Sequence, residues 1–177
     1  QLLARDIHLI VVPVPSRSEI YPERVLADPP PMPIAPQRKQ FLSALLSQGV
    51  ECIDLLPAMI GGKSLGDLSL ANDTHWSRLG VMVAAPVIAE RLDRYDWATI
   101  YGRPPVQMQR TTVPYARSWA FHDRLPPEVR AAQPAKAVDV TQIRLPDGTP
   151  YGHDEQAPLL IAGDSFLFFY TPVQADI

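Results

Sequence analysis

The chain has 177 residues, 46% of them hydrophobic and 20% charged, which is typical of a single folded domain with a real core. Its net charge of −3 gives no electrostatic case for nucleic acid or an anionic membrane as a partner. No apolar run reaches the ~18 residues that a transmembrane helix needs, so we expect no transmembrane segment in this chain.

Twenty prolines against nine glycines indicate stiff connections between elements. The first residues have neither the basic start nor the cleavage site of a signal peptide. The sequence at both ends resembles an interrupted helix. We therefore expect residues 1–177 to form one domain that is incomplete at both ends.

The first half of the chain predicts a β-loop-α-β order. Residues 7–15 form an apolar run rich in β-branched residues, which favours a strand buried on both faces. A helix over residues 37–48 and a strand over 50–55 follow, and this order implies a parallel sheet with right-handed crossovers. A further helix is predicted from 77 to about 95, with Pro86 distorting one turn.

The second half is less regular. Residues 99–137 contain many prolines and no clear period, and we interpret them as an irregular insertion of loops and short strands. Residues 138–145 alternate weakly and predict a strand. Residues 158–162 are apolar and predict a buried strand that runs directly into a turn and then a helix beginning near residue 166.

Ser165 lies in that turn, within Gly163-Asp164-Ser165. A strand, a sharp turn and a helix place a side chain at the carboxyl end of a parallel sheet, where open α/β folds put their sites. A serine there exposes its hydroxyl, and its backbone N–H can stabilise developing negative charge. The tripeptide alone fits a helix-capping serine equally well, so both interpretations stay open.

His75 is the candidate base, because serine is a poor nucleophile unless a base takes its proton. Asp73 precedes His75 by two residues, and in extended backbone such residues point to the same side. Asp73 can then orient one imidazole nitrogen while the other faces Ser165. His122 and His153 are each followed by an aspartate, and we interpret both as solvated loop residues.

The Asp-x-His spacing also occurs in metallophosphoesterases, which hold two metal ions. Here Asp73 follows a polar stretch instead of a buried strand, and the chain has no Gly-Asn-His. Too few further histidines remain for a two-metal cage. We therefore predict no metal site, and nothing in the sequence indicates a cofactor.

Three further side chains are weaker candidates for substrate binding. Arg17 and Tyr21 follow the first strand near the same sheet edge, and packing or surface roles fit them at least as well. Trp76 either forms a wall of the site or anchors its loop. The single cysteine, Cys52, excludes an intramolecular disulfide and reads as a small buried hydrophobe.

Three segments together carry a family resemblance: VVPVPSRSEIYPE at 11–23, DTHW at 73–76 and GDSF at 163–166. In this order they resemble the SGNH-hydrolase-like domain of the alginate O-acetyltransferases of the AlgX/AlgJ type. In that family the Asp-x-His-Trp segment precedes the serine turn, the reverse of ordinary SGNH esterases. The resemblance implies a three-layer α/β/α SGNH-like fold with a mostly parallel sheet.

The resemblance also implies a set of roles. Ser165 is the nucleophile, His75 the base and Asp73 its orienting carboxylate, while Gly163 and Asp164 lie where oxyanion and substrate contacts belong. The implied reaction moves an acetyl group from a donor to Ser165 and then to a polysaccharide hydroxyl.

The implied partners are a polysaccharide acceptor and an acetyl donor, with a membrane acyltransferase as a possible source, and the implied location is the periplasm. Two alternatives stay open. A carbohydrate esterase or deacetylase uses the same triad, since water and a sugar hydroxyl attack the same acyl-enzyme. In the second alternative the chain is a non-catalytic polysaccharide-binding or assembly component, in which the three residues are present but catalyse no reaction.

Overall fold

The computed structural model describes residues 2–29, 36–70, 73–101, 109–115, 124–132, 138–149 and 155–168. The chain divides into two compact units, Gln1–Leu68 with Leu79–Leu92 and Ser69–Arg78 with Asp93–Ile177. Within the described ranges, no helix is both long and apolar enough to cross a bilayer.

The described elements are short, apart from two helices. The helices are α1 (Arg17–Ile20), α2 (Pro36–Ser47), α3 (Leu56–Gly62), α4 (Arg78–Leu92), α5 (Trp97–Tyr101), α6 (Pro127–Ala132) and α7 (Ser165–Phe168), and the strands are β1 (Ile10–Val11), β2 (Glu51–Cys52), β3 (Gln109–Tyr115) and β4 (Val138–Arg144). Short 3-10 turns lie at Leu3–Arg5, Pro22–Arg24 and Lys63–Leu65.

Strands β1 and β2 pair in parallel, with Ile10 opposite Glu51 and Val11 opposite Cys52. Helix α2 connects them, so the predicted β-loop-α-β order and the α/β class are confirmed. The strands are much shorter than predicted, and β1 is only half-buried. The prediction of a long strand over 7–15, buried on both faces, was therefore wrong. Pro13 follows closely and has no N–H to continue the pairing.

Helix α2 runs over Pro36–Ser47 and agrees with the predicted helix to one residue at each end. Two residues after its end lies Gly49, whose φ of +73° is a left-handed conformation that glycine adopts without steric cost. The N–H of Val50 donates to the carbonyl of Leu45 at 3.0 Å, which satisfies a carbonyl at the helix end.

Among the described residues, most buried apolar side chains belong to the first unit. They are Ile20, Tyr21, Leu42, Ile53, Leu55, Leu56, Met59, Leu68 and Ala84, while Leu70 is buried in the second unit. Helices α3 and α4 approach closely in the first unit: a Cβ added at Gly62 would lie 2.9 Å from a methyl carbon of Val83. The absence of a side chain at position 62 therefore sets the distance between these helices.

A part-buried ion pair links helices α1 and α2. The guanidinium of Arg38 donates to both carboxylate oxygens of Glu19, at 2.8 and 3.3 Å, and to the carbonyl of Pro13 at 3.0 Å. The carboxylate of Asp54 lies 3.6 Å from the same guanidinium. Glu19 also accepts the backbone N–H of Ser16 in a capping box that starts α1.

The second unit contains an antiparallel pair in which β3 lies within the predicted irregular insertion of 99–137 and β4 follows it. Strands β3 and β4 pair over seven residues each, from Gln109 opposite Arg144 to Tyr115 opposite Val138. The strand predicted over 138–145 is confirmed. Pro114 lies within β3, and both strands of a two-stranded sheet are edge strands, the position in a sheet where proline occurs.

The buried strand predicted over 158–162 is wrong. These residues form no strand, and Leu160 and Ile161 are 87% and 61% exposed. An apolar run becomes a buried strand only where another strand pairs with it, and the described part of the chain places none against 158–162.

Candidate active site

The candidate site is built on two parts of the second unit, residues 69–70 with 73–76 and residues 163–167. In the first segment Ser69 forms an antiparallel bridge with Trp76, and the N–H of Leu70 donates to the carbonyl of His75 at 3.0 Å. These bonds close the segment on itself, and this closure fixes the backbone that carries the aspartate and the histidine.

Asp73 and His75 form a buried pair. The Oδ1 of Asp73 lies 2.5 Å from the Nδ1 of His75 and also accepts the backbone N–H of His75 at 3.1 Å. The Asp73 side chain is fully buried and that of His75 is 8% exposed. The predicted contact is present, but residues 73–75 form a bend instead of extended backbone. One carboxylate oxygen holds both the ring and the main chain.

This arrangement fixes the chemistry of the imidazole. A carboxylate accepts hydrogen bonds and cannot donate, so Nδ1 of His75 carries the proton that faces Asp73. The lone pair is then on Nε2, which is the atom able to take a proton from a hydroxyl. The pair thus has the orientation of a general base with its orienting carboxylate.

The serine turn leads directly into α7, which begins at Ser165. The side chain of Asp164 accepts the N–H of Phe166 at 3.0 Å, and its carbonyl accepts the N–H of Leu167 at 3.1 Å. Gly163 packs under this turn, because a Cβ there would lie only 3.3 Å from the Cβ of Leu167. The turn holds Ser165 exposed to solvent.

Phe166 brings the two segments together. Its ring centroid lies 4.9 Å from that of His75 at an interplanar angle of 45°, and 5.9 Å from that of Trp76 in an edge-on contact. The hydrogen bonds of the described residues do not include one between Ser165 and His75, so that contact stays a prediction. The contact with Trp76 shows that this side chain packs against the serine turn.

Arg17 and Tyr21 belong to the first unit. Arg17 is the first residue of α1 and is half-buried. The Tyr21 hydroxyl accepts the N–H of Leu68 at 2.8 Å and faces the carbonyl of Gly66 at 3.4 Å, so it ties a loop to the core. A role for either residue in substrate binding stays a prediction.

Two features escaped the sequence patterns. Asp6 and His8 have the same spacing as the buried pair, but they are exposed and 3.8 Å apart, so only burial separates the two cases. The contacts of Phe166 are the second feature, although its position beside Ser165 was a signal for the site. His122 and His153 lie outside the described residues.

No group of three or more His, Cys, Asp or Glu side chains is placed to hold a metal ion within the described ranges.

Comparison with known proteins identifies the family. Residues 1–166 match the family model of the SGNH hydrolase-like domain of the acetyltransferase AlgX. The chain belongs to this family. The match spans both segments of the candidate site and includes Ser165 near its end.

Individual relatives agree with this family. The chain is 30% identical over 92 residues to the "Probable alginate O-acetylase AlgJ" of Pseudomonas aeruginosa, a match that spans 52% of this chain and 22% of that protein. The O-acetyltransferase domain of Pseudomonas putida AlgJ is 22% identical, with a TM-score of 0.60 over 82% of this chain and 52% of that one. Pseudomonas aeruginosa AlgX gives a TM-score of 0.53 at 20% identity, over 88% and 36%. These similarities confirm the SGNH-like fold.

Proposed function

We propose that this chain is an O-acetyltransferase domain that acts on an alginate-type polysaccharide through an acetyl-serine intermediate. The observation that carries the proposal is the buried Asp73–His75 pair, packed through Phe166 against the turn that holds Ser165. The names of the related proteins, acetylases of alginate, support the choice of acyl group and acceptor.

In the first step the Oγ of Ser165 attacks the carbonyl carbon of the donor's acetyl group while Nε2 of His75 takes the hydroxyl proton. Asp73 stabilises the imidazolium that forms, through its bond to Nδ1. The backbone of the turn at Gly163 and Asp164 faces the developing oxyanion. The donor's oxygen or sulfur leaves with the proton from His75, and acetyl-Ser165 remains.

In the second step a polysaccharide hydroxyl attacks the carbonyl carbon of acetyl-Ser165. Nε2 of His75 takes the proton of that hydroxyl and returns it to the Oγ of Ser165 as the ester bond to the enzyme breaks. The acetyl group is then on the polymer and the enzyme is restored. The exposed position of Ser165 supports this step, because a long acceptor chain has to reach it.

Membership of this family supports, as part of the proposal, a periplasmic location and an acetyl group supplied through a membrane acyltransferase. The match spans only 22% of the relative from Pseudomonas aeruginosa. The residues that bind the donor and the polymer are therefore also part of the proposal.

Covalent labelling tests the nucleophile. We expect a sulfonyl fluoride to add one adduct at Ser165, detected by peptide mass spectrometry, and Ser165→Ala to abolish it. Asp73→Asn should slow labelling by about 10³–10⁴-fold, because the imidazole then adopts the wrong tautomer. His8→Ala is the matched control, since its Asp6 partner has the same spacing on the surface, and it should label normally. Labelling that survives Ser165→Ala contradicts the assignment.

A second assay separates the transferase from an esterase. Purified protein is given an acetyl ester with and without alginate oligosaccharides, and both released acetate and acetylated sugar are measured. The transferase predicts acetylated sugar at the expense of acetate. Acetate release that ignores the acceptor instead indicates a carbohydrate esterase on the same residues, since water then resolves the intermediate.

A further inference from the structure

Phe166 has contacts that the proposed reaction does not yet use. Its half-buried ring lies against the His75 imidazole at 4.9 Å and meets the edge of Trp76 at 5.9 Å. Its backbone N–H is held by the side chain of Asp164, within the same turn as Ser165. One residue therefore touches the base with its ring and the nucleophile's turn with its main chain.

The bond to Asp73 alone does not fix the imidazole. The hydrogen bond at Nδ1 sets the direction of one edge of the ring, but one hydrogen bond does not by itself fix the tilt of a ring about that bond. Contact with the Phe166 ring restrains that tilt. Aromatic rings at 4.5–7 Å in tilted or edge-on arrangements attract each other, and the Phe166 ring lies in that geometry.

We propose that Phe166 is a positioning residue, which holds the His75 ring in the plane that aims Nε2 at Ser165. This role rests on the proposed function. It adds to that function a direct packing link between the base His75 and the turn that carries Ser165. Because Phe166 directly follows Ser165, any shift of the turn moves the ring that restrains the base. Nε2 of His75 and Oγ of Ser165 therefore keep the same relative position, and proton transfer between them requires that position to be closely fixed.

Steady-state hydrolysis of p-nitrophenyl acetate tests the role. Phe166→Leu keeps an apolar side chain and removes the ring, and we expect kcat to fall about 10- to 100-fold with KM unchanged, as for a misplaced catalytic group. Phe166→Tyr keeps the ring and should restore most of kcat. Leu160→Ala is the control, because this side chain is 87% exposed in the segment before the turn, and its kcat should equal that of the wild type.

Nuclear magnetic resonance of the imidazole protons gives a readout that does not depend on turnover. The Phe166 ring current should displace the His75 signals, and Phe166→Leu should remove that displacement while Phe166→Tyr retains it. If the wild type shows the displaced His75 signals and Phe166→Leu loses them with kcat unchanged, the positioning role is overturned. A kcat that Phe166→Tyr does not restore also overturns it. A wild-type protein that neither turns over nor labels at Ser165 refutes the proposed function itself, although the ring-current displacement is still seen.

Discussion

Tyr21 shows how much one buried hydroxyl contributes to the first unit. The side chain is 3% exposed, and its hydroxyl accepts the N–H of Leu68, which is itself buried. The guanidinium of Arg24 lies 4.1 Å above the ring. The hydroxyl thus satisfies a main-chain donor that has no access to water.

We expect Tyr21→Phe to lower the free energy of unfolding by about 1–3 kcal/mol, because it leaves the buried N–H of Leu68 without an acceptor. Urea denaturation followed by tryptophan fluorescence measures the change. Amide hydrogen exchange localises it: the Leu68 amide should exchange faster. The Leu70 amide, bonded to the carbonyl of His75, should not change and serves as the internal control. Unchanged exchange at Leu68 argues against this role of the hydroxyl.

The residue scale also shows what spacing can and cannot predict. A spacing of two positions from carboxylate to histidine was enough to place Asp73 against His75. The same spacing at Asp6 and His8 gives a loose surface contact. Burial separates the two, and burial depends on distant parts of the chain that a local pattern does not contain. The ring contact of Phe166 with His75 is likewise non-local.

At the scale of elements, Gly62 decides how closely α3 and α4 pack. Its φ of −74° is open to any residue, so backbone strain does not require glycine there. The requirement is space, since an added Cβ would lie 2.9 and 3.1 Å from the two methyl carbons of Val83. Valine is branched at Cβ and cannot easily rotate away.

We therefore expect Gly62→Ala to lower the free energy of unfolding by about 1–3 kcal/mol, the usual cost of overpacking. Gly61 is the matched control, because it lies in the same helical turn with nothing within 4 Å of an added Cβ. Gly61→Ala should raise stability by about 0.5–1 kcal/mol, as alanine is the better helix former.

The double variant Gly62→Ala with Val83→Ala locates the cause. Removing the valine methyl groups makes room, so the double variant should lose less stability than the sum of the two single variants. Thermal or urea unfolding of the four proteins gives this coupling. Additive losses would mean that the Cβ at position 62 acts on something other than Val83.

Elements differed in how well the sequence predicted them. Helix α2 was predicted to one residue, because a helix satisfies its hydrogen bonds internally and its stop, Gly49, is local. Strands need partners from elsewhere. The apolar runs at 7–15 and 158–162 look alike in sequence, yet the first contains a short paired strand and the second is exposed.

At the scale of the whole molecule, the order of motifs was more informative than any single element. The segments at 73–76 and 163–166 are about ninety residues apart, and their order indicated the family that the match over residues 1–166 confirms. That order could not give the bend at 73–75 or the ring that joins the segments. Both depend on the packed second unit.

The part-buried Glu19–Arg38 pair makes stability depend on pH. Burial acts to raise the pKa of Glu19, but the hydrogen bond from Arg38, the bonds from Ser16 and the Arg38 charge together lower the pKa below its ordinary value of 4.5. The folded state therefore favours the ionised carboxylate. The resulting stabilisation is fully present above about pH 4.5 and is lost as the pH falls through the lowered pKa.

Glu19→Gln should thus destabilise the protein by about 1–3 kcal/mol at pH 7, the range for hydrogen bonds to a charged group, and near its low end because Asp54 still faces Arg38. As the pH falls below 4.5 the difference from the wild type should shrink, since a protonated Glu19 resembles glutamine. Urea midpoints from pH 7 to 3.5 measure this. Glu23→Gln is the control: Glu23 pairs with Lys63 at 2.7 Å on the surface, where water screens the pair, and stability should hardly change. If the difference in unfolding free energy between the wild type and Glu19→Gln stays constant with pH, the charge of the carboxylate contributes nothing to the pair.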